Sequence, residues 1–242
     1  MRMVACPWEK ENLNRNVCEL YFGDKEEFSE TKILELEEIY DYIISKVGIK
    51  QVSIYKQLSE NDFYFIETQL SISYKPSECT IGRLANYFRS KIQLYPCRDN
   101  KDVQAILLKI KENLFSTDRI ALDPHFDIQT ANLRYCNWIT NTINDSNFTL
   151  YRIVVGSLEI GFCYFKDDGL TTNYILGGLY KECQGKGFGV VEPLASIIHM
   201  ENLNLNKVIT NVSSNNLEVL QCYLECGFTI EKVNYVFAKM LR

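Results

Sequence analysis

The chain of 242 residues is 46% hydrophobic and 12% aromatic, and it carries a formal net charge of −5 at pH 7. This composition is typical of a globular protein with a sizeable core. The negative charge argues against broad binding of nucleic acids or anionic membranes, because such binding needs a basic surface. No stretch approaches the ~20 apolar residues that a membrane span needs. We therefore expect neither a nucleic-acid partner nor a membrane partner.

The nine cysteines are predicted to be free thiols. Their number is odd and they form no CxxC pair, so the pattern favours neither a disulfide framework nor a metal site. Cys222 and Cys226 lie four residues apart, but neither histidine is close to them in sequence. We expect reduced thiols, no metal ion and a cytoplasmic location. The N-terminal stretch lacks the apolar core of a secretion signal, which supports the same location.

Residues 1–92 are predicted to form a small α/β domain. Apolar residues at helical spacing before Gly48 predict a helix over 33–47; they are Ile33, Leu36, Tyr40, Ile43 and Val47. Segments 51–57 and 63–75 are rich in β-branched and aromatic residues and predict strands. The polar stretch 75–88 carries a proline and a glycine, so we place a domain boundary near residue 92.

Residues 93–242 are predicted to form a larger domain. Its predicted strands are 92–97, 148–155, 158–166, 172–182, 207–213 and the closing segment 228–241. Its predicted helices are 101–115, 128–143, 190–201 and 216–227, with a polar loop at 116–127. The order helix, strand, polar joint and aromatic-Ile-Glu strand occurs at 33–74 and again at 191–240. This internal echo indicates either an old duplication or two α/β layers built alike.

Three glycines, Gly185, Gly187 and Gly189, come directly before an apolar helix pattern. A glycine inside a helix costs roughly 0.5–1 kcal/mol relative to alanine, so the bare backbone must serve a purpose. A glycine-rich turn at a helix N-terminus exposes several N–H groups and can hold an anion, and Lys186 would add a mobile charge. The pattern fits neither a Walker loop nor a dinucleotide fingerprint. A simple helix-entry turn is the alternative.

The hexapeptide Gln184-Gly185-Lys186-Gly187-Phe188-Gly189 resembles the Gln/Arg-x-x-Gly-x-Gly/Ala signature of the GNAT superfamily of acyl-CoA transferases. Downstream, Asn216 and Tyr223 lie seven residues apart before a Gly-Phe pair, as in a second signature of that superfamily. The resemblance covers residues 93–242. It implies a GNAT fold of the α/β (α+β) class, with a mixed, mostly antiparallel sheet flanked by helices. Residues 1–92 would then be a smaller α/β domain that partly echoes it.

The resemblance also implies an acyl-CoA-dependent N-acyltransferase in which acyl-CoA is a co-substrate. The residues it assigns to CoA are Leu176, Gly177, Gly178, Leu179, Gln184, Gly185, Lys186, Gly187, Phe188, Gly189 and Asn216. A backbone N–H near Leu179 would polarise the thioester carbonyl. Tyr223 would be the general acid that protonates the leaving thiolate, although a packed helix aromatic is the alternative. Gly177 and Gly178 would leave room for a larger acyl group, or would only permit a bulge.

A narrower resemblance concerns residues 116–144. They are similar to the dTDP-amino-sugar N-acyltransferases, the group that includes dTDP-fucosamine acetyltransferase. The N-terminal segment resembles that group less well, since Glu9, Asn12 and Asn14 depart from its pattern. The resemblance implies transfer of an acetyl or 3-hydroxybutanoyl group to a dTDP-linked amino-dideoxyhexose, for surface polysaccharide or O-antigen biosynthesis. A homodimer is a possible assembly.

The residues expected to face the acceptor are Arg119, Asp123, His125, Tyr135, Trp138 and Asn141. Arg119 would pair with the diphosphate, and Tyr135 or Trp138 would stack on the base or the sugar, with core packing as the alternative for both aromatics. No general base is evident, and Asp123, His125 and Glu182 are the candidates beside a water relay. Two other functions stay open: acylation of a protein N-terminus or another small amine, and a non-catalytic CoA-binding sensor.

Overall fold

A computed structural model describes residues 1–23 and 26–241. This part of the chain contains ten strands and nine α-helices, numbered in chain order. The strands are β1 Arg2–Ala5, β2 Val17–Tyr21, β3 Tyr42–Gly48, β4 Tyr64–Tyr74, β5 Ile92–Pro96, β6 Phe148–Val155, β7 Leu158–Asp168, β8 Thr171–Leu179, β9 Lys207–Ser213 and β10 Thr229–Met240. The helices are α1 Glu9–Leu13, α2 Glu30–Glu37, α3 Val52–Glu60, α4 Arg83–Arg89, α5 Asn100–Lys111, α6 Arg119–Leu122, α7 Ile128–Thr142, α8 Val191–Asn202 and α9 Leu217–Glu225.

The strands form one sheet in the order β1-β2-β3-β10-β4-β9-β8-β7-β6-β5. The pairs β2–β3 and β8–β9 are parallel, and the other neighbouring pairs are antiparallel. Successive residues of β7 point to opposite faces, so Phe162 packs with α5 and α7 whereas Cys163 packs with α8. The predicted fold class, a mixed and mostly antiparallel sheet flanked by helices, is confirmed. No helix in the described ranges is both long and apolar enough to span a bilayer.

Two predicted elements of the N-terminal part are wrong. Residues 33–47 divide between α2 and β3, and residues 51–57 lie mostly in α3. The segment Tyr42–Val47 is buried on both faces of the sheet except at Lys46, and such a strand gives a continuous apolar run that periodicity does not separate from a buried helix. In α3 the buried residues Ile54 and Leu58 lie four apart, so a helical stripe overrides the local β-branched composition.

The centre of the sheet has an approximate twofold symmetry that reproduces the internal echo of the sequence. Moving forward along the chain by a fixed number of residues takes β4 to β10, and moving back by the same number takes β9 to β3. The residue pairs of β4 with β9 then coincide with the residue pairs of β10 with β3. The corresponding pairs are Tyr74–Val208 with Ala238–Ile44, and Ile72–Thr210 with Val236–Lys46. Each half inserts its last strand into the other half, because β10 lies between β3 and β4 while β4 lies between β10 and β9. The sheet therefore continues across residue 92, and a domain division there stays a prediction.

Candidate active site

The parallel strands β8 and β9 separate part-way along their length. Their ladder ends at the pair Asn173–Ile209, and the Thr210 hydroxyl then donates a hydrogen bond of 2.8 Å to the carbonyl of Tyr174. Beyond this point β8 pairs with β7 alone, and Ile175 is an extra residue in that ladder. A bulge bends its strand, which explains the separation. The edge of β8 from Ile175 to Leu179 consequently presents backbone groups to an opening between the strands.

A glycine-rich turn connects the open end of β8 to α8. The side-chain amide of Gln184 donates to the carbonyl of Leu179 at 3.0 Å and ties the turn to the strand. The six backbone N–H groups from Gly185 to Val190 meet no acceptor in the described protein. The helix α8 begins at Val191, so its N-terminal dipole points to the same place. Free N–H groups at a helix N-terminus are the donors that an anion site needs, and the anion site itself stays a prediction.

The three glycines of this turn are needed for two different reasons. Gly185 and Gly187 have φ of +69° and +84°, and a side chain at either would be strained even though the space around them is open. Gly189 is needed for contact, because a Cβ there would lie 2.7 Å from the Sγ of Cys222 on α9. The turn is therefore held by backbone conformation and by close packing of α9.

A buried carboxyl group lies beneath the point where β8 and β9 separate. Glu192, in the first turn of α8, accepts a hydrogen bond of 3.3 Å from the Tyr223 hydroxyl, and the Thr210 side chain is close to the same hydroxyl. No cation contributes to the environment of Glu192, so burial raises the pKa of its carboxyl to about 7. Burial and this carboxylate raise the pKa of Tyr223 well above its usual range.

Tyr174 adds a second phenol to this cluster. Its hydroxyl is buried close to the Glu192 carboxyl and, among the described residues, makes no hydrogen bond of ordinary geometry. A Cβ at Gly177 would coincide with that hydroxyl, so the space left by this glycine is already filled. A Cβ at Gly178 would lie at ordinary contact distance, 3.5 Å, from the ring of Phe115. The two glycines thus accommodate neighbouring side chains and the bulge, which is a simpler explanation for them than room for a larger acyl group.

On the face opposite α8, a cleft of about 310 Å³ leads to the same opening. Its lining residues come from the diverging strands, from β4 and from α7; they include Ser71, Trp138, Asn173, Ile175, Thr210 and Asn211. The Glu231 carboxylate also lines the cleft, where it accepts hydrogen bonds of 2.7 Å from Lys207 and from Ser73. The opening between β8 and β9 therefore connects the buried carboxyl on one face with a polar cleft on the other.

Comparison with solved structures identifies this architecture, whereas no protein-family model and no curated protein matches the sequence. A GCN5-related N-acetyltransferase (GNAT) from Sphaerobacter thermophilus aligns over 99% of this chain and 76% of its own, with a TM-score of 0.65 and 8% identity. The chain has the GNAT fold. A functionally unknown conserved protein from Staphylococcus epidermidis aligns over 94% of this chain and 85% of its own, with a TM-score of 0.65 and 14% identity. A tandem GNAT protein from the clavulanic acid biosynthesis pathway aligns over 87% and 67%, with a TM-score of 0.52 and 10% identity.

Within the GNAT fold, the residues expected to bind CoA lie together along β8 and the turn. Leu176, Gly177, Gly178 and Leu179 form the open strand, and Lys186 is exposed beside the free N–H groups. Phe188 packs edge-on against Phe88 with ring centroids 6.0 Å apart, so its side chain supports the turn. Asn216 caps α9, its Oδ1 accepting from the N–H of Val219 at 3.4 Å.

The residues expected to face the acceptor are dispersed. Trp138 lines the cleft, whereas the Tyr135 ring packs edge-on against Phe115 at 4.9 Å and Asn141 is exposed at the end of α7. Arg119 is committed to carboxylates: its Nη1 lies 2.7 Å from Glu19 and its Nη2 lies 3.6 Å from Glu9. A diphosphate would therefore have to compete with two buried ion pairs for this guanidinium.

The expected base candidates lie away from the cleft or are paired. Asp123 is buried and accepts hydrogen bonds from Tyr42 at 2.5 Å, from Tyr64 at 3.0 Å and from the backbone of His125. Tyr64 precedes the cleft residue Ser71 by seven residues on β4, which is about 23 Å at ~3.3 Å per residue. Glu182 is paired with Lys109 at 2.7 Å. Asp123 and His125 therefore do not lie at the opening between β8 and β9, and the Glu182 carboxylate is engaged in an ion pair.

Sequence reasoning missed Glu192 and Thr210. The signal for Glu192 was present, because a single acidic residue interrupts an otherwise apolar helix pattern over 190–200. The packing of α8 against β8 and α9 is needed to show that this carboxyl is buried in the core and does not lie on a solvent-exposed face of the helix.

Proposed function

We propose that the chain is an acyl-CoA-dependent N-acyltransferase that acts on a primary amine. The observation that carries this proposal is the bulged, open edge of β8 leading directly into a turn with six free N–H groups. Pantetheine contains amides that can pair with a strand edge, as in β-strand addition. A pyrophosphate is the anion that a glycine-rich helix N-terminus binds well. The two features together suit the two ends of one CoA molecule.

In this proposal the donor uses mostly backbone groups. The edge from Ile175 to Leu179 pairs with the pantetheine arm, and the N–H groups from Gly185 to Val190 hold the pyrophosphate. A backbone N–H near Leu179 polarises the thioester carbonyl. Asn216 keeps its assignment beside the CoA, although its Oδ1 already caps α9 and leaves only the amide NH₂ for a ligand.

The proposed chemistry is direct attack of the amine nitrogen on the thioester carbonyl. The C–N bond forms, the C–S bond breaks, and the nitrogen loses one proton while the thiolate gains one. Tyr223 supplies the proton to the thiolate, because its hydroxyl is next to the point where the strands separate. Protonated Glu192 then returns a proton to the phenolate, whereas an ionised Glu192 would oppose formation of the phenolate. Solvent takes up the proton that the nitrogen loses and reprotonates Glu192. Activity is therefore expected to need the neutral form of Glu192.

The acceptor enters through the cleft that Trp138 lines. A flat indole face suits the stacking of a sugar or a base, which supports a dTDP-linked amino-dideoxyhexose as the acceptor and surface polysaccharide synthesis as the role. The pairing of Arg119 with Glu9 and Glu19 speaks against its assignment to the diphosphate. A different small amine is the second candidate, because the cleft is small and the Glu231 carboxylate lines it.

Calorimetry and turnover together test the proposal. CoA and acetyl-CoA are titrated into the full chain, and CoA release is then followed with dTDP-amino sugars, free amino sugars, polyamines and peptides. We expect binding of CoA and turnover with at least one amine. Binding without turnover on any amine would favour the sensor alternative, and an absence of CoA binding would overturn the proposal. Comparing acetyl-, butanoyl- and 3-hydroxybutanoyl-CoA with the best acceptor identifies the acyl group.

A further inference from the structure

A second cavity of about 270 Å³ lies on the symmetry-related parallel pair of strands. Its lining residues are Tyr21, Phe22, Lys46, Gln69, Ser71, Asn211, Lys232 and Asn234. The ladder of β2 and β3 ends at the pair Tyr21–Lys46, just as the ladder of β8 and β9 ends at Asn173–Ile209. By the strand registers, Lys46 occupies the position that corresponds to Thr210. This cavity is thus the counterpart of the proposed active-site opening.

The counterpart lacks the feature that suits a CoA pyrophosphate. The sequence after β2, FGDKEEFS over 22–29, has one glycine and three acidic residues. By composition, this segment has few glycines and a net negative charge, and neither property favours the binding of a pyrophosphate. A ligand at this position would therefore be held by side chains rather than by backbone groups.

The described lining of the cavity contains two lysines, three side-chain amides and two hydroxyls, and no carboxylate. Both hydroxyls already donate, Tyr21 to Glu19 and Ser71 to Asn211, so the lysines and the amides are the donors left for a ligand. Lys232 is exposed and makes no ion pair within the described ranges. Asn234 is 6% exposed, and its Oδ1 has no hydrogen-bond partner in that part of the chain. A buried polar atom without a partner is costly, so it indicates a ligand or ordered solvent.

Charged groups are packed behind the cavity. Glu19 lies 3.3 Å from Lys46 and 2.7 Å from Arg119, and Glu9 pairs with Arg119 and with Arg134. Glu67 and Asp118 also act on Arg119, so carboxylates offset the buried cations, and the Lys232 ammonium at the rim is the positive charge that makes no ion pair within the described ranges. Burial and the like charge of Arg119 lower the pKa of Lys46, despite Glu19. An anion in the cavity would relieve this repulsion.

The two cavities are adjacent. Ser71 and Asn211 line both of them, and the Ser71 hydroxyl donates a hydrogen bond of 2.7 Å to the Oδ1 of Asn211. The strands between β9 and β3 are spaced by about 4.8 Å, so the bases of the two cavities are separated by roughly 10–14 Å. This distance suits the two ends of a single small molecule.

We propose that this second cavity, with Lys46, Lys232 and Asn234, binds an anionic phosphate or carboxylate group of the acceptor whose amine lies at the opening between β8 and β9. This inference rests on the proposed N-acyltransferase function. The unpartnered Oδ1 of Asn234 accepts from a hydroxyl or N–H group next to the anion. Acceptors that carry an anion at this distance from the amine are therefore preferred over neutral amines of the same size.

The direct test uses inorganic phosphate and the full chain without CoA. Amide resonances of Ser71, Asn211 and Asn234 are expected to shift on titration, and K232Q is expected to weaken this site at least fivefold. Because phosphate can also bind the 185–190 turn, G187V is titrated in parallel and is expected to keep the shifts at the cavity. Shifts confined to 185–190, or an unchanged affinity at the cavity in K232Q, would overturn the inference.

The second test compares glucosamine with glucosamine 6-phosphate and with muramic acid, which separates a phosphate from a carboxylate. In K232Q the kcat/KM ratio of the preferred anionic amine to glucosamine is expected to fall about tenfold. The control K56Q removes an exposed lysine of α3 outside both cavities and leaves the ratio unchanged. An unchanged ratio in K232Q contradicts the inference. If none of the three amines is acylated, the phosphate titration alone decides whether the second cavity binds an anion. Calorimetry with CoA on each variant tests the proposed N-acyltransferase function separately, because it measures binding at the donor site.

Discussion

The two parallel strand pairs lie on either side of the symmetric centre of the sheet and differ in the connection that leaves their first strand. After β8 comes a turn whose N–H groups are free, and the strands separate there. After β2 the chain is acidic, and the adjoining face is occupied by the ion pairs of Glu9, Glu19, Arg119 and Arg134. The sheet thus provides two equivalent positions, one at the end of each parallel ladder. The sequence that follows the first strand of each pair determines whether backbone donors or charged side chains lie at that position.

Removal of the Tyr223 hydroxyl tests the catalytic half and has the largest expected effect. Tyr223→Phe should lower kcat by about 10²–10⁴-fold, because the thiolate would leave without a positioned acid. Its matched control is Tyr55→Phe on α3, the helix that corresponds to α9, which should keep kcat within about twofold. Steady-state kinetics measure both, with circular dichroism as the check on folding. A wild-type kcat in Tyr223→Phe would make this residue a packing residue.

The opposite half is tested through stability rather than rate. Glu9 is buried and accepts from Arg134 at 2.7 and 2.9 Å, so Glu9→Gln should lower the free energy of unfolding by about 3–5 kcal/mol by leaving guanidinium charge uncompensated. Denaturant titration measures this loss, and kcat of the folded fraction should be retained. A loss below about 1 kcal/mol would contradict the view that these ion pairs hold the N-terminal residues to α6 and α7.

The same variant predicts a pH effect with a definite sign. Burial would raise the pKa of Glu9, but Arg134 and Arg119 outweigh it and the native pKa is lowered. The ionised form therefore contributes stability above the unfolded pKa near 4.5, and the contribution is lost as the pH falls through the native value. Glu9→Gln should accordingly lose stability less steeply in acid than the wild type does.

Gly187→Val should raise the KM for acyl-CoA by about tenfold to a hundredfold. A β-branched residue strains a backbone at φ +84°, which costs on the order of 1–3 kcal/mol and displaces the free N–H groups. Gly23→Val, on the connection after β2, is the matched control, since a Cβ there makes only an ordinary 3.5 Å contact with Glu26. Equal KM values in the two variants would remove the turn from the donor site.

Glu192→Gln gives the smallest and most specific effect. With a native pKa of about 7, Glu192 is neutral below pH 7, so kcat should fall up to tenfold between pH 7 and pH 8 in the wild type. The glutamine stays neutral but cannot return a proton, so kcat in the variant should be close to the alkaline value of the wild type at every pH, and this decline should disappear. A decline that persists in Glu192→Gln, or a rate that rises with pH through 7, would rule out the proton-returning role. The free energy of unfolding also decreases as the pH rises. Because burial raises the pKa of Glu192, its protonated form stabilises the fold at low pH, and this contribution is lost between about pH 4.5 and pH 7.

The sequence predicted the elements whose signal is local. The helix and strand patterns over 92–241 reappear in the structure, because each amphipathic stripe or alternating run faces one neighbour. The strand β3 was mistaken for part of a helix, since β2 and β10 cover its edges from distant parts of the chain. The turn at 185–190 followed from its glycines. The ion-pair partners of Arg119 could not be predicted from the sequence, because Glu9 and Glu19 lie about a hundred residues away and no local pattern links them to Arg119.

The exchanged strands have a consequence for how the chain reaches this structure. The strand β3 is paired on one side by β10, the last strand in the described chain, so the N-terminal half stays incomplete during synthesis until this late segment has emerged. Closing such a long loop before its contacts form is entropically costly and makes folding slow. Until then β3 and β4 have exposed edges of mostly apolar composition, and these nascent edges are where aggregation would begin during expression.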